Sequence, residues 1–224
     1  MPSIRESSLV NFRALKNESS PDRRGELLKN VTELLGLVAD QSGQNLLDVY
    51  DSVMVRLAEM VDAKARAEIA AQLAQLRRAP SGIVRKLALD DIEIAQPLLV
   101  CSPVLTDDDL IGIAEIRGSA HRRAIATRPG LGEAVTRLLA RRGDDAVRRM
   151  LAGNVTAKLS GESLRRLLDQ SRHDTEMREL LAARPAMPGS VRKTLADLPG
   201  EGLSHGASAG GRRLRNGTRA AAGH

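Results

Sequence analysis

Four times in its second half the chain repeats one short phrase: a basic helix opening, an Ala/Leu run, then a stop at Pro or Asn. The copies are Gln96-Pro97-Leu98-Leu99-Val100 stopping at Pro103, Arg122-Arg123-Ala124-Ile125-Ala126 stopping at Pro129, Arg148-Arg149-Met150-Leu151-Ala152 stopping at Asn154, and Arg178-Glu179-Leu180-Leu181-Ala182 stopping at Pro185. Successive stops lie 26, 25 and 31 residues apart. A unit of that length is one supersecondary element that cannot bury its own apolar face, so the copies must stack.

A second series runs between the phrases. Apolar-basic runs at Val84-Arg85-Lys86-Leu87, Leu110-Ile111-Gly112-Ile113, Val135-Thr136-Arg137-Leu138, Leu164-Arg165-Arg166-Leu167 and Val191-Arg192-Lys193-Thr194 are spaced by 26, 25, 29 and 27 residues. Each period therefore holds two short helices. Helices of about 8–12 residues are marginal alone in water, because nucleation is costly and few hydrogen bonds follow it. The expected fold is all-α: an array of stacked short helical hairpins with longer helices at its N-terminal end.

Composition supports helices over strands. Phe12 and Tyr50 are the only aromatic residues and Trp is absent, so the interior is left to Leu, Val, Ile, Ala and Met. No stretch alternates with period two between turn signals. Cys101 is the one cysteine, which excludes an internal disulfide or a multi-cysteine zinc site and points to a cytoplasmic setting. The stretch Met1 to Leu15 scatters Arg5, Glu6 and Arg13 among its apolar residues, unlike the apolar core of a signal peptide. No segment has the length of a membrane span.

Four segments are expected: an N-terminal segment, partly ordered, over 1–19; helices capping the array over 20–79; the repeat array over 80–199; and a disordered basic Gly/Ala/Arg tail over 200–224. Ser20-Pro21 reads as a helix start, with Pro at the first helical position. Thr106 with Asp109 reads as a capping box, and Ser160 as a further cap. Pro97, inside its unit, is expected to start or kink its helix.

The motifs Ala95-Gln96-Pro97-Leu98-Leu99, Ser102-Pro103-Val104-Leu105, Asp107-Asp108-Asp109-Leu110-Ile111, His121-Arg122-Arg123-Ala124-Ile125-Ala126 and Arg184-Pro185 to Pro188 together resemble the domain-of-unknown-function 2336 family of alphaproteobacteria, over roughly Leu28 to Leu198. The resemblance implies a HEAT-like or ARM-type right-handed superhelical array in a bacterial cytoplasmic protein. It implies no reaction.

The net charge of +6 and pI near 10.1 invite a polyanion partner, so the distribution of charge matters. Residues 201–224 hold four arginines and one acid, a net of +3; the other 200 residues hold 30 basic and 27 acidic side chains. The repeats are nearly neutral, and their cations gain meaning only as rows. Aligned first helices place Lys86, Gly112, Arg137, Arg166 and Lys193 at one site, and aligned second helices place Gln96, Arg122, Arg148 and Arg178 at another. Stacking turns each set into a ridge, which is either a solvated face or a binding surface for an acidic protein.

The expected function is a non-enzymatic interaction scaffold or adaptor, without cofactor, binding an acidic protein partner, with a nucleic-acid backbone as the alternative. Single-strand binders stack bases on aromatic platforms that this chain lacks, while duplex backbone needs only cations. A lesser alternative is phosphotransfer or other enzymatic chemistry. His121, followed by two arginines, is the speculative phosphotransfer residue; its bland role is a capping or inter-repeat hydrogen bond. Asp107, Asp108 and Asp109 point about 100° apart on a helix and suit its N-terminal dipole better than a metal ion. Cys101, at the end of an apolar run without a neighbouring base, reads as a small buried side chain.

Overall fold

The computed structural model describes residues 20–197 except Ala186. The expectations for 1–19 and for the tail over 200–224 lie outside the described residues. Among the described residues there are twelve helices and no strand. They are α1 (Pro21–Val38), α2 (Gln44–Ala58), α3 (Ala63–Leu73), α4 (Ser81–Ala88), α5 (Ile92–Cys101), α6 (Asp107–Ile116), α7 (Ser119–Thr127), α8 (Glu133–Arg142), α9 (Asp145–Gly153), α10 (Gly161–Ser171), α11 (Thr175–Ala182) and α12 (Gly189–Asp197), with a 3-10 turn over Ala39–Gln41.

The helices form two layers. The odd-numbered helices α1 to α11 each pack on the next odd one; in the other layer α2 packs on α4, α6 on α8 and α8 on α10. Chain neighbours close the hairpins α4–α5, α6–α7, α8–α9 and α10–α11, as the period demands. The helices before Pro80 continue the same alternation, in longer pieces. Apolar side chains at helical spacing fill the space between layers: Ile83, Leu87, Leu98, Leu99, Leu110, Ile125, Val135, Leu139, Val147, Leu151, Leu167 and Leu181 are buried. With no aromatic residue in the array, each such side chain buries roughly 1.5–3 kcal/mol of transfer free energy.

Local chemistry sets the helix starts. Thr106 and Asp109 form the capping box, each side chain bonding the other's backbone amide. Asp62, Asp144, Ser160 and Asp174 each accept the amide three residues on, from Ala65, Val147, Ser163 and Met177. Pro21 opens α1 behind Ser20, whose side chain makes no capping bond. Two expectations change. The basic pairs sit inside their helices, since α7 begins three residues before Arg122 and α5 runs through Pro97 from Ile92. Cys101 is exposed rather than buried: α5 ends there, and the buried place beyond Leu98 and Leu99 passes to Ser102.

The stops do more than end helices. Arg128, just before Pro129, donates to the carbonyls of Leu99 (3.2 Å) and Ser102 (2.6 Å) at the end of α5. Asn154 donates from Nδ2 to Ala126 (2.8 Å) and Arg128 (2.7 Å) at the end of α7. Arg184, just before Pro185, donates to Ala152 (3.1 Å), Asn154 (2.5 Å) and Ala157 (2.6 Å) at and beyond the end of α9. These three of the four stops thus satisfy orphan carbonyls that close the preceding odd helix. Arg78, after α3, does the same for the chain after α1 through Asp40 and Ser42.

Candidate partner-binding surface

The second-helix row is largely occupied within the fold. Arg122 Nε donates to the Ala114 carbonyl at 2.8 Å, Arg148 Nε to Ala140 at 3.0 Å, and Arg178 Nε and Nη2 to Ser171 at 3.4 and 3.3 Å. In every case the guanidinium of an odd helix reaches back seven or eight residues to the end of its own hairpin partner. The cation there meets the negative end of the helix dipole and an unsatisfied carbonyl. Gln96, at the equivalent place in α5, is exposed.

The neighbouring position in the phrase is also spent on stacking. Arg123 pairs with Asp144 at 2.9 Å and Arg149 with Asp174 at 2.8 Å, each joining one odd helix to the N-cap of the next; Arg66 pairs with Asp90 at 2.7 Å in the same sense. Asp144 and Asp174 serve twice, as caps and as ion-pair partners; Asp90, one residue before the N-cap Asp91, accepts the Asp91 amide instead. For Asp144 the Val147 amide above all, with the Arg123 guanidinium and Ser119 hydroxyl, outweighs burial and holds the carboxyl at about 2.

The first-helix row is more open. Lys86 is tied to Glu59 at 2.9 Å. Arg166 makes only an exposed contact to Glu162 at 3.4 Å, of a kind worth well under about 1 kcal/mol. Arg137 and Lys193 are exposed and form no ion pair among the described residues. Arg141, one turn after Arg137 on α8, is likewise exposed and without an ion pair, and Arg165 on α10 bonds only the Gly161 carbonyl of its own helix. Since α8 packs on α10, Arg137, Arg141, Arg165 and Arg166 lie on two adjoining helices. On the other side of α8, helix α6 carries Asp107, Asp108 and Glu115 exposed, with Asp109 drawn to Arg85 of α4 at 2.7 Å. The surface is therefore polar along the stack, acidic at α6, cationic at α8 and mixed at α10, where exposed Glu162 and Asp169 stand on the same helix as Arg165 and Arg166. Arg141 and Arg165 were missed by aligning one position per repeat; the helical spacing of Arg137 and Arg141 was the available signal.

His121 is buried, and the Asp90 carbonyl accepts from its Nε2 at 2.9 Å and from Arg117 Nη2 at 2.5 Å. Arg117 Nε also lies 3.4 Å from Nε2, so this ring nitrogen sits between the carbonyl and the guanidinium. Burial chiefly, aided by the Arg117 charge, pushes the imidazole below its ordinary value against the contrary pull of the Asp90 hydrogen bond. This geometry joins α7 to the turn before α5. A cleft of about 340 Å³ beside the start of α10 has Glu133, Lys158, Leu164, Arg184 and Met187 among its lining residues. Among the described residues no three His, Cys, Asp or Glu side chains are grouped to hold a metal ion, and no helix is long and apolar enough to cross a membrane.

A family model described as an uncharacterised protein conserved in bacteria, DUF2336, matches residues 94–205. That span runs from within α5 to beyond α12 and takes in the staples at Arg128, Asn154 and Arg184. No curated protein and no solved structure matches the chain.

Proposed function

The chain belongs to the bacterial DUF2336 family, whose description names no activity, and from its surface we propose a non-catalytic scaffold that binds an acidic protein partner along the α8–α10 side of the array. The observation that carries the proposal is the division of labour among the cations. Arg122, Arg148 and Arg178 are engaged with backbone carbonyls, whereas Arg137 and Arg141 have no ion pair within the described fold. Exposed guanidiniums cost the fold little and contribute most to steering and register with an acidic surface. The acids of α6 beside them set a direction: a partner presenting carboxylates to α8 and α10 is repelled if it slides toward α6.

The test is affinity capture from the native bacterial cell with the wild type and with Arg137→Glu/Arg141→Glu. The variant is expected to lose the captured protein while its melting temperature stays within about 2 °C of wild type, as befits exposed positions. An unchanged captured set overturns the proposal. Binding to random duplex DNA at low salt that falls steeply as salt rises, and that this variant abolishes, replaces the protein partner with a nucleic-acid backbone.

A further inference from the structure

The two ends of the array differ in kind. At the C-terminal end α12 buries Leu195 and exposes Arg192, Lys193, Thr194 and Asp197, the polar outer side that a terminal repeat requires. At the other end Leu34, Leu37 (77% exposed) and Val38 on α1, with Leu46 and Val49 (55%) on α2, are exposed. These are five of the ten large apolar side chains exposed among the described residues, and all five belong to one hairpin, within two turns of its connection.

The stripe turns away from the stack on both helices. On α2 the Asp51 side chain accepts from the amides of Gly82 and Ile83 at the start of α4, at 3.0 and 2.7 Å, which marks the side packed on the next helix of that layer. At about 100° per residue, Leu46 and Val49 stand roughly 140–160° around the helix from Asp51. On α1 the corresponding mark is Gly36, where an added Cβ would lie 3.8 Å from Leu76, just after α3. Leu34 and Val38 stand about 160° from Gly36, and Leu37 about 100°. Both layers therefore end in apolar side chains, at the place where each interior helix meets a neighbour.

An occupant that covers this stripe must present two helices side by side, both apolar, because the stripe crosses from α1 to α2. The α1–α2 hairpin of a second copy has that shape and that chemistry. We propose that two copies of the chain join end to end through this face about a two-fold axis, their α1–α2 hairpins forming a four-helix bundle. The five side chains leave on the order of 500 Å² of apolar surface open, enough to mark an interaction site. A standard interface buries roughly 800 Å² per partner, and about 65% of it is apolar in homodimers, so the stripe supplies the apolar share. Asn30 and Asn45, one turn before Leu34 and Val49, are exposed and uncharged, which suits an interface core depleted of charge. Since the α12 end is polar, the contact closes as a dimer and does not propagate head to tail. The cations of α8 take no part in it, so this proposal and the acidic-partner proposal stand or fall separately.

Sedimentation equilibrium of the full chain tests the dimer. Wild type is expected at twice the chain mass at up to about 100 μM, since interfaces of this size hold at micromolar concentrations or below. Leu37→Glu/Val49→Glu is expected to weaken the dimer at least about 100-fold, with helical content kept because both positions are exposed. The control Ile116→Glu, exposed on α6, is expected to leave it intact, and Leu37→Ser/Val49→Ser replaces the double glutamate if that variant loses helix. In a Cys101→Ser background the thiol of Val49→Cys is expected to be alkylated several-fold faster once dilution separates the copies. A wild-type monomer overturns the proposal, as does a dimer that survives the double substitution. A monomer whose Val49→Cys thiol reacts slowly gives the face to another part of the same chain and also overturns it.

Discussion

Truncating Arg184 removes the most buried cation of the array. The residue is 7% exposed, and its short bonds to the carbonyls of Asn154 and Ala157 are charge-assisted, worth roughly 1.5–3 kcal/mol each. Burial works the other way: it holds the guanidinium below its usual pKa, a desolvation cost that offsets part of the gain. The net loss for Arg184→Ala is about 3 kcal/mol, since the orphaned carbonyls beyond α9 regain water only in part. For a chain of this size each 1 kcal/mol moves the melting temperature by roughly 2–4 °C, so circular dichroism melts should show a fall of about 6–12 °C. Arg184→Lys should recover less than half of it, because an ammonium cannot fork between carbonyls on two sides. A shift no larger than that of the exposed control Arg137→Ala would refute the staple.

Other expectations follow from the same contacts. Asn154→Ala removes two neutral amide bonds to the end of α7 and should cost about 2 kcal/mol in a urea melt. The depressed Asp144 carboxyl, at about 2, stabilises the fold fully above the unfolded value near 4 and loses that contribution as pH falls toward 2; Asp144→Asn should flatten this part of the acid profile. His121 is held below its ordinary value by burial, so its neutral form favours the fold. That contribution is present above about pH 6.5 and fades below it. His121→Gln should therefore lose less stability than wild type between pH 6.5 and 5, measured by melting temperature.

The hairpin array was legible because its signal is periodic: two apolar series offset along one period leave few other folds, and Thr106, Asp109, Ser160 and Pro21 mark helix starts by local chemistry alone. What sequence could not show was where each arginine ends. Arg122 and Arg137 occupy equivalent-looking basic positions, yet one reaches the Ala114 carbonyl and the other meets solvent; the difference lies in contacts eight residues apart across a hairpin turn. Pro103, Pro129 and Pro185 stand out in sequence as stops, while the bonds belong to the residues before two of those prolines, Arg128 and Arg184. Cys101 misled for a similar reason, since an apolar run does not reveal the residue at which its helix ends.

Melting Arg122→Ala/Arg148→Ala/Arg178→Ala beside Arg137→Ala/Arg141→Ala/Arg166→Ala tests most directly the claim that the two cationic rows have separate tasks. The first triple variant should lose about 2–4 kcal/mol, from three charge-assisted bonds in part-exposed settings, and the second should melt within about 2 °C of wild type. Equal losses in the two variants, or a larger loss in the second, would contradict the account.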